Sequence, residues 1–180
     1  MSKNIVLISG SPRRNGNTQR LTQEFVKGAL EAGNTVEIIR AADKKIAACC
    51  GCNYCYKDPA HRCAVKDDMQ ECYEKLAAAD VIVVAVPVYF YSVSAQIKCL
   101  IDRLHNPVRN TFKVRKLALL SVCADDSDSV FDSIRVMYRS VLSYFSLEDG
   151  GMVTVHGVQN IGDIEGNPLL ADAYKLGLNI

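Results

Sequence analysis

The stretch "VIVVAV" (Val81–Val86) gives the strongest strand signal in the chain. A continuous run of β-branched and small apolar residues is typical of a strand that is buried on both faces of a parallel sheet. Four further runs, at residues 4–9, 35–40, 117–122 and 151–158, also read as strands. We therefore predict a five-stranded sheet with Val81–Val86 at its centre.

A helical pattern follows each predicted strand, over about 17–33, 67–79, 92–104, 127–145 and 169–178. The alternation predicts a doubly wound α/β protein, because right-handed crossovers place helices on both faces of the sheet. Five strands favour a flavodoxin-like three-layer sandwich of order 2-1-3-4-5 over the six-stranded dinucleotide-binding fold. Ligands of such a sheet bind at the carboxyl ends of the first and third strands.

The length and composition suit one domain over residues 1–180, with a cysteine-rich insertion at about 46–66. A net charge of +1 gives no basic surface for nucleic acid and no acidic surface for steering a small electron carrier. The N-terminus lacks the apolar region of a signal peptide, and no apolar run is long enough to span a membrane. We therefore expect a cytoplasmic protein whose cysteines are thiols, metal ligands or redox groups.

The loop after the first predicted strand reads "SGSPRRNGNT" (Ser9–Thr18) and leads into a helix. It offers hydroxyls, amides and two glycines beside a helix N-terminus, where unpaired N–H groups favour anions. It lacks the G-K-[ST] ending of a P-loop, and it lacks the G-x-G-x-x-G motif that binds dinucleotides. A monophosphate therefore fits it better than either. The alternative is a polar turn in which Asn17 or Thr18 is an ordinary N-cap.

The loop after the third predicted strand reads "PVYFYSVSAQIK" (Pro87–Lys98) and holds three successive aromatic residues. Large rings at an exposed strand end need a flat apolar surface to pack on, and a ring-shaped cofactor would supply one. A subunit interface would also favour aromatic residues here, and the two interpretations are compatible.

The segment "CCGCNYCYKDPAHRC" (Cys49–Cys63) contains five of the eight cysteines. Cys49, Cys52, Cys55 and Cys63 have the spacing C-x2-C-x2-C-x7-C, and the first three match the run that holds a [4Fe–4S] cluster in bacterial ferredoxins. Structural zinc normally uses two separated C-x2-C pairs, which fits this overlapping run poorly. The alternative is a set of buried or redox-active thiols, because residues at this spacing also share one face of a helical turn.

Together, "GSPRRNGNT", "CCGCNYCY" and "PVYFYSVSAQIKCLIDR" resemble the NAD(P)H-dependent FMN reductase family of flavodoxin-like oxidoreductases. The resemblance covers most of the chain, and the cysteine segment is also similar to that of iron–sulfur flavoproteins. It implies an FMN cofactor whose phosphate is bound by residues of the first loop, namely Ser9, Ser11, Asn17, Thr18 and, as a charge partner, Arg13. It implies that the flavin ring and ribityl chain lie against residues of the second loop, namely Pro87, Val88, Tyr89, Phe90 and Ser92.

The same resemblance implies that the loop "CADDS" (Cys123–Ser127) borders the ring and that the protein is a homodimer. The implied reaction is hydride transfer from NAD(P)H to FMN and on to a flavin, a quinone or a similar small acceptor. The flavin carries this chemistry itself, so we predict no separate catalytic side chain.

Three alternatives remain open at this point. An iron–sulfur flavoprotein would carry electrons between a ferredoxin-like partner and FMN through a [4Fe–4S] cluster. A flavodoxin-type carrier would have no enzymatic activity. A thiol-sensing or metal-binding module would keep the fold and have lost FMN.

Overall fold

The computed structural model describes residues 2–180 and is built on one parallel sheet. The sheet has five strands in the order β2-β1-β3-β4-β5. Their bounds are β1 Asn4–Ser9, β2 Thr35–Arg40, β3 Val81–Pro87, β4 Lys116–Val122 and β5 Glu148–Val155. The predicted strand order and the central position of the Val81–Val86 segment are therefore confirmed.

Residues 2–180 form six α-helices, and all of them except α2 pack on the two faces of the sheet. Their bounds are α1 Asn17–Glu31, α2 Tyr54–Lys57, α3 Met69–Ala77, α4 Ala95–Arg103, α5 Asp132–Phe145 and α6 Leu169–Asn179. On one face, Ile5 and Leu7 of β1 share a core with α1 and α6. On the other face, Val6 and Ile8 pack with α3, α4 and α5. Alternate residues of one strand thus fill both cores, as strand geometry requires.

The structure departs from the predicted boundaries in a few places. Strand β5 starts three residues earlier than predicted and ends at Val155, because the Glu148 N–H donates to the Arg115 carbonyl (2.8 Å) and starts the pairing with β4. The helix predicted from residue 127 begins as a 3₁₀ turn over Asp128–Phe131. Two more 3₁₀ turns, Ala41–Asp43 and Pro107–Thr111, and the single turn of α2 were not predicted.

Helices α1 and α6 approach each other closely through a pair of glycines. A Cβ atom placed on Gly28 would overlap the carbonyl oxygen of Tyr174, and one placed on Gly177 would overlap the carbonyl oxygen of Phe25. Both obstacles are backbone atoms, so a side-chain rotation cannot relieve the overlap.

Replacing Gly177 by alanine should therefore lower the free energy of unfolding by up to about 2 kcal/mol, since overpacking a tight contact typically costs ~1–3 kcal/mol. The sign is informative, because alanine alone would favour a helix by about 1 kcal/mol. Urea unfolding measures the change. The variant Ala171→Gly, on the exposed face of α6, measures how much alanine and glycine differ in helix propensity when no close contact is involved. A stabilised Gly177→Ala protein would contradict the predicted contact.

Candidate functional site

The loops after β1 and β3 lie side by side at one edge of the sheet. Strands β1 and β3 are paired from Ile5–Val81 to Ser9–Ala85, so they end together. The Gly10 N–H donates to the Ala85 carbonyl at 2.8 Å, and the Ser94 hydroxyl donates to the Gly10 carbonyl at 2.5 Å. This is the edge at which ligands of doubly wound sheets bind.

An open cleft of about 670 Å³ lies between these loops, and we call it the switch-point cleft. Seven of the ten residues expected to bind the cofactor line it: Ser11, Arg13, Asn17, Thr18, Pro87, Val88 and Tyr89. The other three, Ser9, Phe90 and Ser92, are not among its lining residues. Ser9 is buried as the last residue of β1, and the Phe90 side chain is 96% exposed.

One end of the switch-point cleft is the N-terminus of α1. The N-cap residue is Gly16, which has no side chain to cap the helix. The first N–H of the helix with a backbone acceptor is that of Arg20, which donates to the Gly16 carbonyl at 3.0 Å. The N–H groups of Asn17 and Thr18 in the first turn therefore remain available to a ligand.

Hydroxyl and cationic side chains complete this end of the switch-point cleft. Ser11 and Thr18 supply hydroxyls, and Arg13 is held at the rim because it donates to the Gln159 carbonyl at 2.8 Å. The Asn17 side chain donates instead to the Asn160 carbonyl (2.8 Å), so Asn17 offers its backbone N–H to the cleft. This set of N–H groups, hydroxyls and one guanidinium fits the phosphate of FMN.

The switch-point cleft also has apolar walls. Pro87, Val88, Val122 and Val158 line it. The Val88 N–H donates to the Val122 carbonyl at 2.8 Å, and the Val158 N–H donates to the Cys123 carbonyl at 2.9 Å, which fixes the walls relative to one another. Apolar walls at the end of a parallel sheet fit a flat ring such as the flavin.

The segment after β5 forms a wall that the sequence reasoning missed. Val158 and Gln159 line the cleft together with Gly16, Val122 and Ala124. Cys123 and Ala124 come from the "CADDS" loop, which was expected to border the ring. The Cys123 thiol donates to the Asp125 carbonyl at 3.1 Å, and burial raises the pKa of Cys123, so it is a neutral thiol near pH 7.

A second pocket, which we call the cysteine pocket, collects the candidate metal ligands. Its lining includes all four of them, Cys49, Cys52, Cys55 and Cys63, and also Cys50. Tyr73, Arg103, His105 and Asn106 form its inner wall. Glycine at position 51 (φ +67°) and Asn53 (φ +54°) take left-handed conformations that turn the chain between the cysteines.

The four candidate ligands are close enough to influence one another. The pKa of Cys55 is raised by burial and then by the charges of Cys63, Cys49 and Cys52. The pKa of Cys52 is lowered by the Tyr54 N–H and by Cys50. All eight cysteines are free thiols.

The four candidate ligands of the cysteine pocket are all thiols. Within residues 2–180, no three His, Cys, Asp or Glu side chains lie close enough to hold a single metal ion. A [4Fe–4S] cluster binds each of its four cysteines through a different iron atom, so its ligands are more widely spread than those of one ion. Four thiolates suit an iron–sulfur cluster, and the C-x2-C-x2-C spacing of the first three is the run that holds a [4Fe–4S] cluster in bacterial ferredoxins.

A buried ion pair, Arg103–Asp67, holds the two ends of the cysteine segment together. Arg103 at the end of α4 bonds both carboxylate oxygens of Asp67, at 2.8 and 3.1 Å. The same guanidinium donates to the carbonyls of Ala47 (3.0 Å) and Val65 (3.3 Å), which flank the segment. The Ala47 N–H donates to Asp67 at 2.9 Å. The two ends of the segment are thus tied to one pair of side chains.

Burial alone would raise the pKa of Asp67, but hydrogen bonds from Arg103 and from the N–H groups of Ala47 and Met69 outweigh it and hold the pKa below its usual value. For Arg103, burial alone would lower the pKa, but Asp67 and the nearby Cys63 raise it, so the guanidinium stays charged. Helix α4 runs between the two regions, since Ser94, its N-cap, bonds the Gly10 carbonyl of the loop after β1 and Arg103 ends it at the cysteine pocket.

Replacing Asp67 by asparagine should lower the free energy of unfolding by about 3 kcal/mol at pH 7, because it leaves the buried Arg103 charge unpaired. A carboxylate with a lowered native pKa stabilises the fold fully above its unfolded pKa of about 3.9 and loses that effect as the pH falls through the native pKa. The difference between wild type and variant should therefore shrink below about pH 4.

Urea unfolding of both proteins from pH 3 to 7 measures this difference. Asp172→Asn is the matched control, because Asp172 forms an exposed pair with Lys175 on α6 (3.2 Å) and should change stability little. A difference between wild type and Asp67→Asn that does not change with pH would contradict the role assigned to the pair.

The doubly wound sheet and its switch-point cleft define a flavodoxin-like fold. An NAD(P)H:quinone oxidoreductase from Methanothermobacter marburgensis shares this fold, with a TM-score of 0.81 over 99% of both chains at 18% identity. An azoreductase from Bacillus anthracis gives a TM-score of 0.76 over 100% of both chains at 15% identity. The chain belongs to the NADPH-dependent FMN reductase family, which it matches over residues 3–158.

Similar proteins of higher identity carry a more specific name. An iron–sulfur flavoprotein from Methanosarcina thermophila is 32% identical over 174 residues, which is 96% of this chain and 87% of that protein. One from Methanocaldococcus jannaschii is 42% identical over 111 residues, which is 62% of this chain and 56% of the relative. The chain thus matches little more than half the length of the latter. No helix within residues 2–180 is long and apolar enough to cross a membrane.

Proposed function

We propose that this protein is an iron–sulfur flavoprotein, an oxidoreductase that holds FMN in the switch-point cleft and a [4Fe–4S] cluster in the cysteine pocket. The observation that carries the proposal is the convergence of Cys49, Cys52, Cys55 and Cys63 on one pocket. The match to iron–sulfur flavoproteins over nearly the whole chain supports it.

In this proposal the two groups supply the redox chemistry, a flavin exchanging one or two electrons and a cluster exchanging one. The residues of the chain bind and orient them. Backbone N–H groups of α1, with Ser11, Thr18 and Arg13, hold the phosphate. Pro87, Val88 and Tyr89 lie against the ring. The four thiolates hold the iron, and a ferredoxin-like protein is the proposed electron partner.

A second candidate function is reduction of FMN by NAD(P)H, with electrons passed on to a flavin, a quinone or a similar acceptor. The family to which the chain belongs favours it, and the switch-point cleft is open to solvent, so that a second flat ring could reach a bound flavin. We further propose a homodimer in the cytoplasm. Phe90 and Tyr91 support the dimer, because they are 96% and 60% exposed and would be covered by a partner.

Purification without air, followed by visible spectroscopy and iron analysis, tests the proposal. We expect FMN and about four iron atoms per chain, with a broad absorption near ~400 nm in addition to the flavin bands. FMN without iron would support the second candidate alone, and a protein that takes up neither group would contradict both. Mixing the loaded protein with NADH, NADPH or reduced ferredoxin then identifies the electron donor.

A further inference from the structure

Arg103 has one hydrogen-bond donor that its ion pair does not use. Its side chain is 1% exposed, and its two terminal nitrogens bond Asp67 and the carbonyls of Ala47 and Val65. The remaining donor, Nε–H, is buried and has no hydrogen-bond partner within residues 2–180. Buried donors without a partner are rare in folded proteins, and each one calls for an explanation.

This donor belongs to a residue in the wall of the cysteine pocket. Two other polar side chains of the wall already have hydrogen-bond partners. The Tyr73 hydroxyl donates to the Arg103 carbonyl at 2.7 Å, and the Asn106 amide donates to the His61 carbonyl at 2.8 Å. Cys63 is near enough for its charge to act on the guanidinium. A sulfur acceptor in the pocket would satisfy the Nε–H group.

We propose that Arg103 tunes the reduction potential of the cluster in the cysteine pocket. It does so by donating its Nε–H to a sulfur of the cluster, either a cysteine thiolate or a bridging sulfide. The inference rests on the proposed function, since it requires the cluster. Hydrogen bonds and positive charge near the sulfurs favour the more negative, reduced state and so raise the reduction potential. Arg103 thus tunes the potential of the cluster and also ties the two ends of the cysteine segment together.

A direct test uses the wild-type protein. Chains grown with arginine labelled with ¹⁵N in the guanidinium group are purified with the cluster, reduced by one electron with dithionite and studied by pulsed electron paramagnetic resonance. We expect a weak ¹⁵N coupling that is lost in Arg103→Lys. It should be kept in the matched control Arg62→Lys, because Arg62 precedes Cys63 but its side chain is 72% exposed.

A redox titration supplies the second readout. Arg103→Lys keeps the positive charge and removes the Nε–H group, so we expect its cluster to bind the electron at least tenfold more weakly, about 59 mV for a one-electron couple. A residue that only closed the segment would change the iron content or the thermal stability and leave the potential of the remaining clusters unchanged.

The outcomes separate the inference from the proposed function. Wild-type protein without iron would defeat the proposed function and the inference with it. A cluster with no ¹⁵N coupling in wild type, or with the same coupling and potential in Arg103→Lys, would overturn the inference alone. If Arg103→Lys does not fold, the measurement on labelled wild type still decides, with Arg62→Lys excluding the neighbouring arginine.

Discussion

Replacing Cys63 by serine should reduce the iron content from about four atoms per chain to less than one and remove the absorption near ~400 nm. Serine keeps the size of the side chain but cannot supply the soft thiolate that iron–sulfur clusters need. FMN should stay bound, because the lining of the cysteine pocket shares no residue with that of the switch-point cleft. Iron analysis and visible spectra of the anaerobically purified variant measure both effects.

The matched control for this variant is Cys50→Ser. Cys50 is an exposed thiol of the same segment and lines the same pocket, but it lies outside the C-x2-C-x2-C-x7-C spacing. It should keep its iron. If Cys50→Ser loses iron while Cys49→Ser retains it, the proposed ligand set is wrong although a cluster is present. If Cys63→Ser keeps all its iron and its spectrum, Cys63 is not a ligand.

The sheet could be predicted from sequence because its central strands are buried on both faces. Burial on both faces leaves an uninterrupted apolar run, as in Val81–Val86, that few other structures tolerate. The start of β5 was missed because its first residues, "EDG" at 148–150, have low strand propensity. Their pairing with β4 depends on the backbone of Lys116 and Leu117 and therefore on tertiary structure.

The candidate site could be predicted only in part. Ligands of doubly wound sheets bind at the carboxyl ends of the strands where the strand order reverses, which identifies the loops after β1 and β3. Most of the residues expected there line the switch-point cleft. The wall formed by Val158 and Gln159 depends on a backbone bond from Val158 to Cys123, 35 positions earlier in the chain, which leaves no local pattern. The pairing of Asp67 with Arg103 is likewise set by the packing of α4 against the segment, and charged residues at this separation carry no sequence signal.

Replacing Thr18 by aspartate should weaken FMN binding at least about 100-fold. Thr18 lies in the first turn of α1 and lines the end of the switch-point cleft that fits a phosphate. A carboxylate there would face the phosphate directly, and two like charges about 4 Å apart repel by ~4 kcal/mol at an effective dielectric constant of 20. A tenfold change in affinity corresponds to about 1.4 kcal/mol. Quenching of FMN fluorescence by the apoprotein gives the dissociation constant.

Two further variants separate charge from position. Thr18→Val keeps the shape and removes only the hydroxyl, so it should weaken binding roughly tenfold, as expected for one hydrogen bond to a charged group. Gln19→Glu adds the same charge one residue later, where the side chain does not line the switch-point cleft, and should change affinity much less than Thr18→Asp. A negative charge in the first turn also acts on the helix dipole. If Thr18→Asp and Gln19→Glu lose the same FMN affinity, the loss is therefore a general effect of charge at the helix terminus. If Thr18→Asp binds FMN as tightly as wild type, the phosphate does not lie at the first turn of α1.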